Sequence, residues 1–140
     1  MQAAADAGAK VCVLDTPPKA EHASLAAARA ADLIIVPVQP ARLDLDALKE
    51  TRDILALAKT PALVVISRAP TTPNSKVVEQ TRELIEQEYG LKTAETVIHN
   101  RMPYQHAMTM GQGVTEYEPN GAAAGEVRAL LAEISKAIGF

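Results

Sequence analysis

The sequence predicts an α/β domain in three layers, α/β/α, around a mostly parallel sheet of about four strands. Three observations point there. Short β-branched runs alternate with longer helical stretches along the chain. The apolar runs are continuous rather than alternating, as in strands buried on both faces. The 140 residues are 48% hydrophobic but only 3% aromatic, with no Trp and one Phe, so Ala, Val, Ile and Leu must build the core.

Residues 11–14 (VCVL) form the first apolar run and end at Asp15. Cys12 within that run is expected to be a buried structural thiol. The Ala-rich stretch 22–31 predicts a helix. Residues 33–38 (LIIVPV) read as the next strand. Asp44 is placed to cap a helix running to residue 58, with Ala47, Leu48, Ile54 and Leu55 on its inner side. Residues 62–67 (ALVVIS) form a third strand, and Thr72 with Pro73 marks the start of another helix. Val77, Val78, Thr81, Leu84 and Ile85 share one face of it, and Gly90 supplies its stop. The charged residues Glu79, Arg82, Glu83 and Glu86 are expected to form a solvated helix face. Residues 93–98 (TAETVI) are a weaker fourth strand, followed by a short helix over 104–110 with His106 at its surface. A last helix begins near Asn120 and is expected to bury Val127, Leu130, Leu131, Ile134 and Ile138.

Short connections between strands and helices imply parallel strands joined by right-handed crossovers. Ligands of such sheets bind beyond the C-terminal ends of the strands. The segments 15–18, 37–42, 67–70 and 99–103 are therefore the ones to watch. The bulk properties exclude several classes. A net charge of −3 supplies no general attraction to nucleic acid or an anionic membrane. One cysteine cannot close an internal disulfide, and no apolar stretch approaches the roughly 20 residues of a bilayer span. The N-terminus has no basic region followed by an apolar core. The expectation is a soluble, cytoplasmic protein with no membrane partner. The three histidines are too scattered for a metal cluster, and no nucleophile elbow of the form G-x-S-x-G is present.

An aspartate at the end of a buried strand is placed where its carboxylate can hold a hydrated Mg²⁺. Asp15 fits that description; it also fits the plainer role of opening a turn that Thr16 and Pro17 pin. The string VLDTPP, followed by AADLIIVPVQP and LDLDAL, resembles the ParA/MinD family of deviant Walker ATPases, from the Walker B strand through the strand after it. Arg101, Tyr104, Ala107, Gly111, Val114, Glu116, Ala124, Glu126, Glu133 and Ile134 resemble the C-terminal pattern of small plasmid and chromosome partition proteins. The resemblance covers nearly the whole chain. It implies a P-loop NTPase-like fold, with Asp15 as the Walker B aspartate that positions Mg²⁺ through water. Thr16 and Pro17 fall in the switch segment that senses the γ-phosphate. Pro37 and Pro40 lie near the family's subunit contacts, although they also suit the end of a strand and a turn. Ser67, Arg68, Arg101, Met102 and Pro103 fall where the family encloses the adenine of ATP or ADP. Arg68 and Arg101 also suit ordinary surface positions or contact with DNA. The implied activity is ATP-dependent DNA segregation. The implied partners are a second copy or another ParA-family chain, a centromere-binding protein of the ParB type, and nonspecific DNA.

The departure from the family is at its start. No glycine-rich loop of the form K-G-G-x-G-K-[ST] occurs in these residues, and Gly111-Gln112-Gly113 has neither the lysine nor a preceding buried strand. The family's early Asp-x-Asp-Pro segment is missing too. Residues 1–10 read as the helix and turn before the Walker B strand. The expectation is that residues 1–140 form a single unit, the C-terminal portion of a ParA-like nucleotide-binding domain. Phosphoryl transfer depends on positioning and on neutralising the phosphates. The chain by itself is therefore expected to be inactive, with no nucleotide of its own, and to present an unpaired apolar sheet edge. Two other readings stay open. One is a non-catalytic binding or regulatory module that associates with an intact ParA-type partner. The other is a receiver-like domain with Asp15 as phospho-acceptor, weakened by the missing acidic cluster and lysine.

Overall fold

The computed structural model describes residues 6–16, 21–72 and 75–139. Its elements are α1 (Glu21–Ala30), β1 (Ile34–Val38), α2 (Arg42–Ala58), β2 (Ala62–Ile66), α3 (Val77–Leu84, continued by a π-helical turn Ile85–Tyr89), α4 (Met102–Thr109), α5 (Val114–Tyr117) and α6 (Ala122–Ile138). β1 and β2 pair in parallel, in register from Ile34 opposite Ala62 to Val38 opposite Ile66. The expected strand over 93–98 is a broken one. It touches β2 through parallel bridges, Val64 with Thr93 and Ala69 with His99. Between them the Ala94 N–H donates to the Val64 carbonyl (2.8 Å) and the Ile98 N–H to the Ile66 carbonyl (3.0 Å).

Side chains alternate across the sheet, so each strand feeds two cores. Val36, Val38, Val64 and Ile66 pack with Leu45 and Leu48 of α2 and with Ile85. Leu63 and Val65 pack on the other face with Ala94, Ile98 and Leu130 of α6. This is a partial α/β/α arrangement. Ile66, Ile85 and Val64 are the largest fully buried side chains, each worth about 1.5–3 kcal/mol relative to exposure.

The predicted strand over 11–14 is the main departure. Those residues have no regular secondary structure, and Val11, Val13 and Leu14 are 52%, 87% and 42% exposed. Cys12 is exposed as well, not a buried thiol. An apolar run becomes a strand only where a neighbour takes up its backbone hydrogen bonds. Among the described residues β1 has β2 as its one neighbour. The Ile34 N–H donates to the Pro61 carbonyl and the Val38 carbonyl accepts from the Ser67 N–H. By the alternation of a parallel ladder, the backbone groups of Ile35 and Pro37 then face the open edge. Pro37 thus lies inside β1, on the side where its missing N–H is harmless, a common way to blunt an edge.

Smaller departures have local causes. Asp44 does not cap α2; Ala41 stands at the N-cap, and Asp44, in the first turn, accepts the Gln39 N–H (3.1 Å). Leu45, Leu48 and Leu55 are buried while Ala47 is exposed, so the inner face is narrower than the spacing implied. α3 begins at Val77, where the Ser75 hydroxyl accepts the Val77 N–H (3.4 Å); Pro73 lies outside the described residues. Gly90 ends the π-helical turn with φ 64°, as expected of a left-handed stop. In α6, Leu131 and Ile138 are 60% and 37% exposed. That helix instead buries Ala123 against Ala107 of α4 and Val114 of α5, and Leu130 reaches the sheet.

Candidate functional site

The C-terminal ends of the strands carry the organised polar groups. The Ser67 N–H and hydroxyl both reach the Val38 carbonyl (2.8 and 3.3 Å), tying the loop after β2 to the end of β1. Arg68 is exposed and adopts φ 50°, in the left-handed region that non-glycine residues rarely enter. Such a conformation costs about 1–2 kcal/mol. Ala69 then bridges to His99, and the Asn100 N–H donates to the Ala69 carbonyl (2.8 Å). The structure thereby places the loop of Ser67 and Arg68 beside the loop of Arg101, Met102 and Pro103. Met102 is exposed, and Pro103 sits in the first turn of α4, where a missing N–H costs nothing.

Glu126 of α6 holds this second loop. Its carboxylate is only 13% exposed and lies 2.7 Å from Arg101 Nε and 2.8 Å from His99 Nδ1. It also accepts the His99 backbone N–H (3.1 Å), and the Tyr104 hydroxyl shares its proton between Glu126 (3.2 Å) and the Ala123 carbonyl (3.0 Å). An ionised carboxylate can only accept, which puts a proton on His99 Nδ1. Burial by itself would raise the Glu126 carboxyl. The hydrogen bonds from Arg101 and from the backbone and ring of His99, with the Arg101 charge, outweigh it and hold the group below its ordinary 4.5. The Tyr104 phenol is pushed up to about 12 by burial, then by the charge and hydrogen bond of Glu126, against the opposing charge of Arg101.

A second carboxylate, Glu133, sits two turns further along α6. It accepts the N–H groups of Glu95 (2.8 Å) and Thr96 (3.1 Å). From α3, Arg82 donates to the Ala94 carbonyl (2.6 Å) and Thr93 Oγ1 (2.9 Å), and Thr93 Oγ1 donates to Glu86. Arg82, half-buried, is therefore a fastener for the broken strand, while Glu86 stays exposed as expected and adds a bond to it. An irregular segment leaves backbone groups that side chains must satisfy. Glu79 and Glu83 are exposed as expected, and His106 is a surface residue in edge contact with Tyr117.

Asp15 and Thr16 are exposed in coil that follows no strand among the described residues; Pro17 lies outside them. The structure thus does not bring Asp15 to the end of a buried strand. Among the described residues no group of three or more His, Cys, Asp or Glu side chains is placed to hold a metal ion. A hollow of about 390 Å³, lined by Arg52, Leu55, Thr60, Tyr89 and Lys92, lies at the start of β2, opposite the end where the sequence placed a ligand. Sequence reasoning missed the bond from Glu126 to His99 and the role of Glu133. A readable signal existed: the two glutamates are seven residues apart, which sets both on one helical face.

Fold and site together define a partial, parallel α/β layer whose strand-end loop is fastened by a C-terminal helix. No protein-family model matches the chain. Over 121 residues it is 31% identical to the maintenance of carboxysome distribution protein A of Gloeobacter kilaueensis. That match takes in 85% of this chain and 55% of the relative, so the chain spans about half the length of the curated protein it matches. The match supports the resemblance to the ParA/MinD family in broad terms. Among the described residues no helix is long and apolar enough to cross a membrane.

Proposed function

We propose that this chain is the C-terminal portion of a ParA-like nucleotide-dependent positioning protein. The observation that carries the reading is the 31% match extending over 121 residues. In this reading the phosphate loop comes from outside residues 1–140. Asp15 holds Mg²⁺ of ATP or ADP through water, and Thr16 and Pro17 follow the γ-phosphate. Ser67, Arg68, Arg101, Met102 and Pro103 line the base. Arg101 is already tied to Glu126, so what it offers an adenine is the face of a fixed guanidinium. The cargo is DNA, as in the partition proteins the sequence resembles, with nonspecific DNA as track and a ParB-type protein as stimulator. The name of the relative speaks of carboxysome distribution, so a cargo other than DNA falls within the same class of role. Assembly is as a dimer of like chains or with a ParA-family partner, in the cytoplasm.

The second reading, a non-catalytic module that binds an intact ParA-type chain, is favoured by the open edge of β1 and the exposed residues 11–14. Calorimetric titration with MgATP separates the two. The chain alone should give no heat above background. A form extended to include an in-frame phosphate loop from the upstream DNA should bind MgATP, and Asp15→Ala should abolish the magnesium dependence. Micromolar binding by the chain alone, lost in Asp15→Ala, overturns its expected inactivity. An extended form that binds nothing sinks the ATPase reading and leaves the binding module.

A further inference from the structure

The segment 93–99 has two sides. Toward β2, the N–H groups of Ala94 and Ile98 are taken by strand carbonyls. On the other side no strand follows among the described residues, and the N–H groups of Glu95, Thr96 and His99 go to Glu133 and Glu126 of α6. The helix thus does for the outer edge of the sheet what another strand would do. A carboxylate has two acceptor oxygens, so one glutamate per two turns can serve a stretch of extended backbone. The two contacts are not alike, however. Glu133 binds two main-chain amides and closes the edge. Glu126 binds one amide and reaches onward to the His99 ring, the Arg101 guanidinium and the Tyr104 hydroxyl, in the loop at the strand ends and the first turns of α4.

We propose that Glu126 is a positioning residue that makes the geometry of the strand-end loop, residues 99–103, depend on the docking of α6. The loop has few other anchors in its middle: Asn100 is held to Ala69, and Met102 is exposed. Leu130, one turn beyond Glu126, packs against Leu63 and Val65, so the sheet contact and the loop contact belong to one helix and form together. Whatever stabilises the docked helix stabilises this loop position, and a ligand held by the loop strengthens the docking in return, because coupling between two sites is reciprocal. The groups facing Glu126 are His99, Arg101 and Tyr104, two of them cationic or able to become so. Replacement of the carboxylate therefore removes a charge partner as well as an acceptor. The bearing on a nucleotide rests on the function proposed above; the latch itself does not.

Amide hydrogen exchange on the whole 140-residue chain tests it. In Glu126→Ala, exchange at His99 and through 100–104 should rise by roughly tenfold or more, the loss of one charge-assisted bond. Glu95, Thr96 and β2 should keep their protection. Glu126→Gln should fall between, because its carbonyl still accepts but carries no charge for Arg101. The same variant should lower the Tyr104 titration midpoint, followed by phenolate absorbance, because it removes the carboxylate charge that helps to raise the phenol. Leu130→Ala, which loosens the helix at its sheet end, should raise exchange at His99 although it leaves Glu126 in place. Unchanged exchange at His99 in Glu126→Ala overturns the proposal, as does a rise spread evenly over the whole chain. A Leu130→Ala variant that loses stability while His99 stays protected removes the coupling. None of these readouts needs nucleotide, so a failed latch and a failed nucleotide reading are seen separately.

Discussion

β2 and residues 11–14 are close equivalents as sequence, ALVVI against VCVL, and opposites as structure. β2 has a neighbour on each side, and Val64 and Ile66 are wholly buried. Among the described residues, 11–14 have no strand neighbour, and they are exposed throughout. β1 stands between them, with one neighbour and alternating burial along its length. Burial thus follows the number of neighbours, two, one and none, and not the hydrophobicity of the run. A strand is a property of a pair, because its backbone donors and acceptors need partners before its side chains can be buried.

The sharpest way to break this contrast is a pair of truncations. Ile66→Ala should cost about 2–5 kcal/mol through lost contacts and the cavity left behind. Val13→Ala should stay within about 0.5 kcal/mol, as exposed substitutions do. Urea unfolding of the two variants checks both, and equal costs would mean that 11–14 is covered in solution. Next in size is Glu126→Ala. It leaves Arg101, His99 and Tyr104 without their shared acceptor and should cost about 1–3 kcal/mol by the same measurement.

The pH dependence sharpens the picture of the C-terminal region. For Glu133, burial is outweighed by hydrogen bonds from the Glu95 and Thr96 amides and the Thr96 side chain, with the Lys92 charge, so this carboxyl too lies below its ordinary 4.5. A folded value below the unfolded one means stability that is complete above the unfolded value and is lost as pH falls through the folded one. The urea midpoint should therefore hold from about pH 7 to about pH 5 and fall at lower pH. Glu126→Gln and Glu133→Gln should each flatten that fall; a wild-type slope in both variants would show that other carboxylates carry it. A last expected effect is a gain. Arg68→Gly relieves a left-handed residue and should raise stability by up to about 1 kcal/mol, read from the same unfolding curves.

Much of the strand-end loop was legible. Ser67 and Arg68 do lie beside the loop of Arg101, Met102 and Pro103, because parallel strands end on one side of a sheet. Arg101, Tyr104 and Glu126 were marked by their resemblance to a family pattern, and the structure adds that they touch. Asp15 was misjudged as the end of a buried strand, since pattern alone does not show whether a neighbour exists. Arg82 leaves the solvated face because the spacing on its own helix says nothing about the broken strand that uses it.

The alternation of elements, the helices with their stops, and the parallel α/β class are readable from the residues in order. These depend on contacts close along the chain and on side-chain period, both of which are written locally. Which apolar runs become strands, which glutamates meet which amides, and how α6 fastens the strand-end loop depend instead on long-range packing. Glu126 and His99 are 27 residues apart, and contacts of that range arise only when the sheet and its helices have packed.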